Sequence, residues 1–308
     1  MTVADLGLAD AAGEAAELKT RRRRRRRRWS PREALLAFAL LLPSAIVFVA
    51  FFYRPFLNLL WWGTFKSQQN GASFTRVGVS QYRQELTGPD FRTHLWHTVQ
   101  FVLYTVPAGL ILGVLLAVAA HRRLKGIKIF QTIFSSTLAS SVAVTSVLFF
   151  YLFNPVVGLF RTDWLHDPST AMAAVSVSSI WQNLGLSFII VLAGLQTVPD
   201  EVLEAATLDG YGPVRRLLRV TLPLISPVLL FLLVVLVVHG FQAFAQIDII
   251  TGGAPVGATE TLVFQINRLG RPDTIGIGAV WSVGLFLVTL TVTTLNFVIL
   301  ERRVHYVR

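Results

Sequence analysis

Long apolar blocks alternate along this chain with short polar connections. Each block runs about 20 residues or more, the length a helix needs to cross roughly 30 Å of hydrocarbon at about 1.5 Å per residue. The pattern predicts membrane-spanning helices over about Glu33–Tyr53, Trp96–Ala120, Ile129–Leu152, Val175–Leu195, Leu224–Gln246 and Ile277–Leu300. The first is expected to end outside at Arg54 and Pro55, and the third at Asn154 and Pro155, because proline removes a backbone donor. The fourth is the most polar, with Ser176, Ser178, Ser179, Gln182, Asn183 and Ser187 along it. A polar stretch from Phe65 to Arg92 follows the first block and is too short for a substantial domain of its own. The fold class is therefore an all-α, polytopic membrane protein with six transmembrane helices.

Charge orients this plan. With the N-terminus inside, the cytoplasmic segments hold 20 of the 28 basic residues, among them Arg21–Arg28, Arg215, Arg216, Arg219, Arg302, Arg303 and Arg308. The outer loops are longer and hold the other eight, so both termini are expected in the cytoplasm. The asymmetry keeps its direction without the arginine run. Residues 1–32 read as a disordered basic cytoplasmic tail, and 33–308 as the transmembrane domain, with no cleaved signal peptide.

Composition narrows the function classes. Apolar residues make up 53% and charged residues 15%, against about 25% charged in a soluble domain. A net charge of +11 raises the question of nucleic acid, but eight of the basic residues form the run beside the first apolar block. Topology and anionic membrane lipid explain that placement, so no nucleic-acid partner is expected. The absence of cysteine excludes disulfides and thiolate metal sites. His94 and His97 can share a helix face but lack a third ligand nearby, so no metal site is expected. Trp61 and Trp62 read as an interfacial aromatic anchor, and Ser135, Ser136, Ser140 and Ser141 as small residues for close helix packing.

The most informative segment joins spans four and five. Thr197 and Asp200 have the spacing of a capping box, with Asp200, Glu201 and Glu204 where a helix start favours negative charge. Val202, Ala205, Ala206 and Asp209 are spaced as one small-residue side that permits close approach by another surface. Gly210 and Gly212 then turn the chain around Tyr211, and Pro213 opens a second amphipathic stretch with Arg215, Arg216 and Arg219 on its wet side.

This segment resembles the signature loop of membrane subunits in binding-protein-dependent ABC importers. Glu204, Ala205, Ala206, Gly210, Val220, Leu222 and Pro223 occupy the signature positions with every spacing kept. Thr251, Gly252, Gly253 and Pro255 of the outer TGGAP run, and AGLQTVPDEVLEAATLDG before the loop's end, resemble the sugar-importer branch. FNPVVG at Phe153–Gly158, the run from Asp209 to Pro227 and the closing ERRVHY resemble, within it, the glycerol-3-phosphate and glycerophosphodiester uptake group.

The resemblance implies a bundle in the bacterial inner membrane that pairs with a second permease subunit. The coupling loop, residues 197–223, would seat in a cytoplasmic ATPase dimer. Glu204 would meet the ATPase surface, Ala205, Ala206 and Asp209 would lie at the contact, Gly210 would allow the turn, and Leu222 and Pro223 would join the loop to span five. An extracytoplasmic solute-binding protein would deliver the substrate. The chain carries no nucleotide loop, so it is expected to be no enzyme and to bind no cofactor, with ATP and magnesium in the partner ATPase. Polar side chains within spans tend to line a cavity or meet a partner helix. Trp181, Gln182, Asn183, His239, Gln242 and Gln246 are therefore the candidates for the substrate pathway, with Asp248 near its outer end. TGGAP reads as a tight outer turn and a contact for the docked binding protein. Import of a mono- or oligosaccharide is the alternative; an ion-coupled carrier lacks the expected repeats and buried charges, and an exporter the expected long cytoplasmic helices.

Overall fold

The computed structural model describes residues 31–68, 71–121 and 126–301. Residues 1–30, with Arg21–Arg28, and Arg122, Arg123, Lys125, Arg302, Arg303 and Arg308 lie outside the described residues. The chain divides into two units, Met1–Asn58 and Leu59–Arg308.

The first unit contains helix α1 (Pro31–Phe48), one wide turn (Val49–Tyr53) and the opening of α2 (Arg54–Trp62). The helix does not end at Arg54 and Pro55, as the sequence suggested, but continues to Trp62. Pro55 falls just after the wide turn, in the first turn of α2, where its missing N–H disturbs little. Leu36, Phe38, Leu41, Ile46 and Phe51 are all exposed, so the helix is apolar around its whole circumference, as lipid requires.

The second unit opens with an antiparallel hairpin, β1 (Phe65–Gln68) and β2 (Ser73–Arg76), in which Phe65 faces Arg76 and Gln68 faces Ser73. This two-stranded hairpin is a small addition to an otherwise all-α fold among the described residues. Trp62 meets Phe74 edge-on at 5.2 Å and Arg76 lies 5.1 Å above Trp61, so the two tryptophans hold the hairpin. Helices α3 (Ser80–Thr87), α4 (Pro89–Ala120), α5 (Ile127–Ser135), α6 (Val142–Leu152), α7 (Ala171–Gln196), α8 (Asp200–Leu208), α9 (Pro213–Arg216), α10 (Leu222–Leu224), α11 (Ser226–Phe241), α12 (Ala245–Ile250), α13 (Leu262–Arg268) and α14 (Ile275–Glu301) follow.

Among the described residues, four helices are long and apolar enough to span a membrane, and two bent pairs bring the number to six if each pair is one span. The pairs correct two expectations. The third block is not one straight helix: it bends by 102° between Ala139 and Val142. The hydroxyls of Ser135 and Ser136 donate to the carbonyls of Gln131 and Ile133, while Ser140 and Ser141 are extended, so these serines accompany a break instead of a packing face. The fifth block bends by 76° at Ile225 and stops at Phe241, with Gln242–Phe244 non-helical before α12. Irregular backbone at membrane depth is tolerated where it is covered by protein or lines a wet cavity.

Helix α7 is the centre of the bundle. Its Phe188, Val191 and Leu195 pack with Val106 and Ala117 of α4 and with Leu232, Leu236 and Phe241 of α11. Small residues set these crossings: a Cβ on Gly240 would lie 2.9 Å from Val102, and one on Gly113 would strike Ser187. Ile111, Leu115, Val144, Phe286 and Leu290 remain exposed on the same bundle, an apolar surface suited to lipid.

Candidate functional site

A cavity of about 470 Å³ opens where α4, α7, α11, the break at Ser140 and the non-helical Gln242–Phe244 meet. Ser179, Gln182, Asn183 and Leu186 line it from α7 with the i, i+3, i+4, i+7 spacing of one helix face. Leu236, His239 and Gly240 line it from α11, Gln242 and Ala243 from the non-helical stretch after it, and Gln246 from α12. The structure thus brings together Gln182, Asn183, His239, Gln242 and Gln246. It does not bring in Trp181 or Asp248. Trp181 lies off the α7 stripe, 6.0 Å from Phe149, and Asp248 is exposed on α12.

The polar groups form a connected set. Asn183 Nδ2 donates to the Ser179 carbonyl at 2.9 Å, and its Oδ1 lies 3.1 Å from His239 Nδ1. Gln182 Nε2 donates to the Ser140 carbonyl, exposed by the first break, at 3.5 Å. The lining contains no Asp, Glu, Lys or Arg. Ser179, Ser140 and Thr137 were missed as cavity residues; the stripe 179, 182, 183, 186 was the available signal for the first.

Between α7 and α11, α8 starts at Asp200 after an extended Pro199 as N-cap. Pro199, not Thr197, is the N-cap residue, and the Thr197 hydroxyl donates back to the Gly194 carbonyl at 2.8 Å. The two alanines also separate: Ala206 is buried against its own chain at 6% exposure, whereas Ala205 points out beside Glu204 and Asp209. Leu208 is 90% exposed on the same side, an apolar residue that the sequence reading did not single out. Gly210 has φ +77°, which an L side chain rarely adopts, and so supplies the turn. Arg216 donates to the Thr207 hydroxyl at 2.8 Å and Arg215 lies 4.5 Å over Tyr211, tying α9 to α8. Leu222 packs into the bundle core, and Leu222 with Pro223 precedes the 76° elbow into α11.

After α12, Thr251, Gly252, Gly253 and Pro255 form a tight turn with left-handed φ at both glycines, and the Thr251 and Thr259 hydroxyls bond at 2.8 Å. Glu260 fastens it. Its carbonyl accepts from Nδ1 of both His94 and His97 at 3.1 Å, and its carboxylate accepts from Gln265 and, at 3.1 Å, from Arg268. The whole set was not legible, because His94 and His97 lie more than 160 residues from Glu260 in sequence. Nearby, Tyr82 donates to the Leu60 carbonyl at 2.9 Å, and burial pushes its phenol above the ordinary range. Replacing Glu260 with alanine is expected to raise amide exchange across 251–260 by about tenfold or more, from the loss of charged hydrogen bonds. Unchanged exchange in the purified protein would count against this role.

Among the described residues, no group of three or more His, Cys, Asp or Glu side chains could hold a metal ion. The described residues thus form a bent helical bundle with a polar cavity and an exposed helix between α7 and α11. The family model for a binding-protein-dependent transport system inner membrane component matches residues 109–306, and the chain belongs to that family. It is a multi-pass inner-membrane permease subunit of an ABC importer, a transport subunit and not an enzyme.

Its relatives include sn-glycerol-3-phosphate transport system permease proteins UgpA. That of Pectobacterium atrosepticum is 34% identical over 286 residues, covering 89% of this chain and 97% of the relative. That of Yersinia pestis is 35% identical over 282 residues, covering 88% and 96%, and that of Escherichia coli O157:H7 is 33% identical over 300 residues, covering 94% and 100%. A chain of a bacterial ABC transporter involved in the import of the acidic polysaccharide alginate matches with TM-score 0.75 at 22% identity, covering 88% of this chain and 96% of that one. A chain of the MetNI methionine ABC transporter, in an inward-facing form, matches with TM-score 0.51 at 14% identity, covering 69% and 95%. At these identities both structures bear on the fold alone.

Proposed function

We propose that the chain is the membrane subunit of an ATP-driven importer for glycerol 3-phosphate or glycerophosphodiesters. It forms half of a translocation pathway with a second permease subunit, receives substrate from an extracytoplasmic binding protein, and couples through residues 197–223 to an ATPase dimer that holds ATP and magnesium. The observation that carries the coupling role is that the start of the loop signature lies on an exposed helix and glycine turn, with Glu204, Ala205, Leu208 and Asp209 facing outward, and its end, Leu222 and Pro223, joins the bundle. The substrate assignment is supported by the relatives' named transport system over nearly the whole chain. The uncharged cavity favours a second substrate, a neutral mono- or oligosaccharide. The two separate in the four-component assembly in lipid with its binding protein, when ATP hydrolysis is followed as glycerol 3-phosphate, glycerophosphocholine and maltose are added in turn. Stimulation by the glycerol phosphates alone is expected; stimulation by maltose alone would overturn the substrate and leave the coupling role standing.

A further inference from the structure

The cavity's unused polar groups have a chemical bias. Ser179 Oγ and Gln182 Oε1 are buried in its wall with no hydrogen-bond partner. A carbonyl can only accept, so the Ser179 carbonyl fixes the Asn183 amide with Nδ2 toward it. Asn183 therefore presents Oδ1 to His239, and the imidazole must carry a proton on Nδ1 to meet it at 3.1 Å. In the neutral ring this leaves Nε2 as an acceptor. On the α7 face and His239, the groups left to a ligand are thus two acceptors, Gln182 Oε1 and His239 Nε2, and one hydroxyl that can act either way.

Acceptors need donors. A hydroxyl donates a hydrogen, whereas a phosphate dianion has none to give and would meet these lone pairs with its own. No cation among the lining residues offsets that repulsion. Gln242 and Gln246 each supply an amide that donates as well as accepts, but neither supplies charge.

We propose that Ser179, Gln182 and His239, the last oriented by Asn183, form a subsite that recognises the hydroxyls of the uncharged polyol part of the imported molecule. The permease then selects for hydroxyl pattern, and the phosphate is recognised elsewhere in the assembly. This rests on the reading of the cavity as the substrate pathway.

The test compares glycerol 3-phosphate with 3-hydroxypropyl phosphate, which lacks the middle hydroxyl. Uptake is measured in vesicles containing the full assembly, at concentrations that saturate the binding protein, so that its own discrimination drops out. The wild type is expected to favour glycerol 3-phosphate by about tenfold or more, because an analogue lacking a hydroxyl leaves buried partners unpaired. Gln182→Ala and His239→Ala should each bring the ratio toward one, and Asn183→Leu should do the same by releasing the imidazole. Co-purification with the other subunits establishes that each variant is assembled. Assembled variants that keep the wild-type ratio would overturn the subsite. If the wild type carries only maltose, the substrate assignment fails separately. The subsite is then judged by maltose turnover in the same variants, a loss of tenfold or more supporting it and wild-type turnover overturning it.

Discussion

Replacing Leu208 with aspartate is expected to lower ATP-driven uptake by about 30-fold or more, the effect of losing an interface residue worth at least about 2 kcal/mol. Leu208 is 90% exposed at the end of α8 and shares its outward side with Glu204 and Ala205. An apolar side chain so exposed contributes little to its own bundle, so the variant should insert and co-purify with the second permease. Its loss would fall on the docking of the ATPase. Glu204→Lys should act in the same direction by reversing a charge on that side. Ala206→Leu should act differently: Ala206 is buried against its own chain, and overpacking there should destabilise the loop by about 1–3 kcal/mol. Uptake by the Leu208 variant at the wild-type rate would remove α8 from the coupling interface.

The second large effect is expected at Gly185. Its N–H donates to Thr137 Oγ1 at 2.9 Å, which pins the short helix Ser136–Ala139 of the first break onto α7. A Cβ at this position would strike Thr137 Oγ1 and lie 2.9 Å from the Phe134 carbonyl. Valine therefore has to push the break away from α7, costing about 3 kcal/mol or more. The same movement would open the cavity wall, because Thr137, Leu138 and Ser140 line it. The purified Gly185→Val assembly should unfold at a clearly lower temperature and lose uptake. A wild-type Tm would mean that the break is not held by this contact.

Both effects show what sequence pattern carries and what it leaves out. The loop signature was legible because its chemistry is local: Glu204, Gly210, Leu222 and Pro223 sit within one stretch at fixed spacing. The apolar blocks were equally plain, since length and composition decide membrane spans. The breaks were not. Ser140–Ser141 and Gln242–Phe244 interrupt blocks whose hydropathy is continuous, and hydropathy is blind to a bend. Polarity alone placed Trp181 beside Gln182 and Asn183, whereas helical phase turns it away; the i, i+3, i+4, i+7 rule applied to Ser179 would have separated them. Thr197 had the spacing of a cap, but the N-cap position falls on Pro199, two residues later. Glu260 escaped notice because its partners on α4 and α13 converge only through the fold.

The absence of cysteine makes the central claim, coupling through the exposed face of α8, directly measurable. Leu208→Cys would be the single thiol of the chain, and Leu115→Cys, on the exposed surface of the bundle, its control. A short bifunctional cross-linker applied to each assembly in lipid, with cysteines introduced on the ATPase surface, should join position 208 to the ATPase and leave position 115 unlinked. Failure of position 208 to link in an assembly that still hydrolyses ATP in response to substrate would contradict the account.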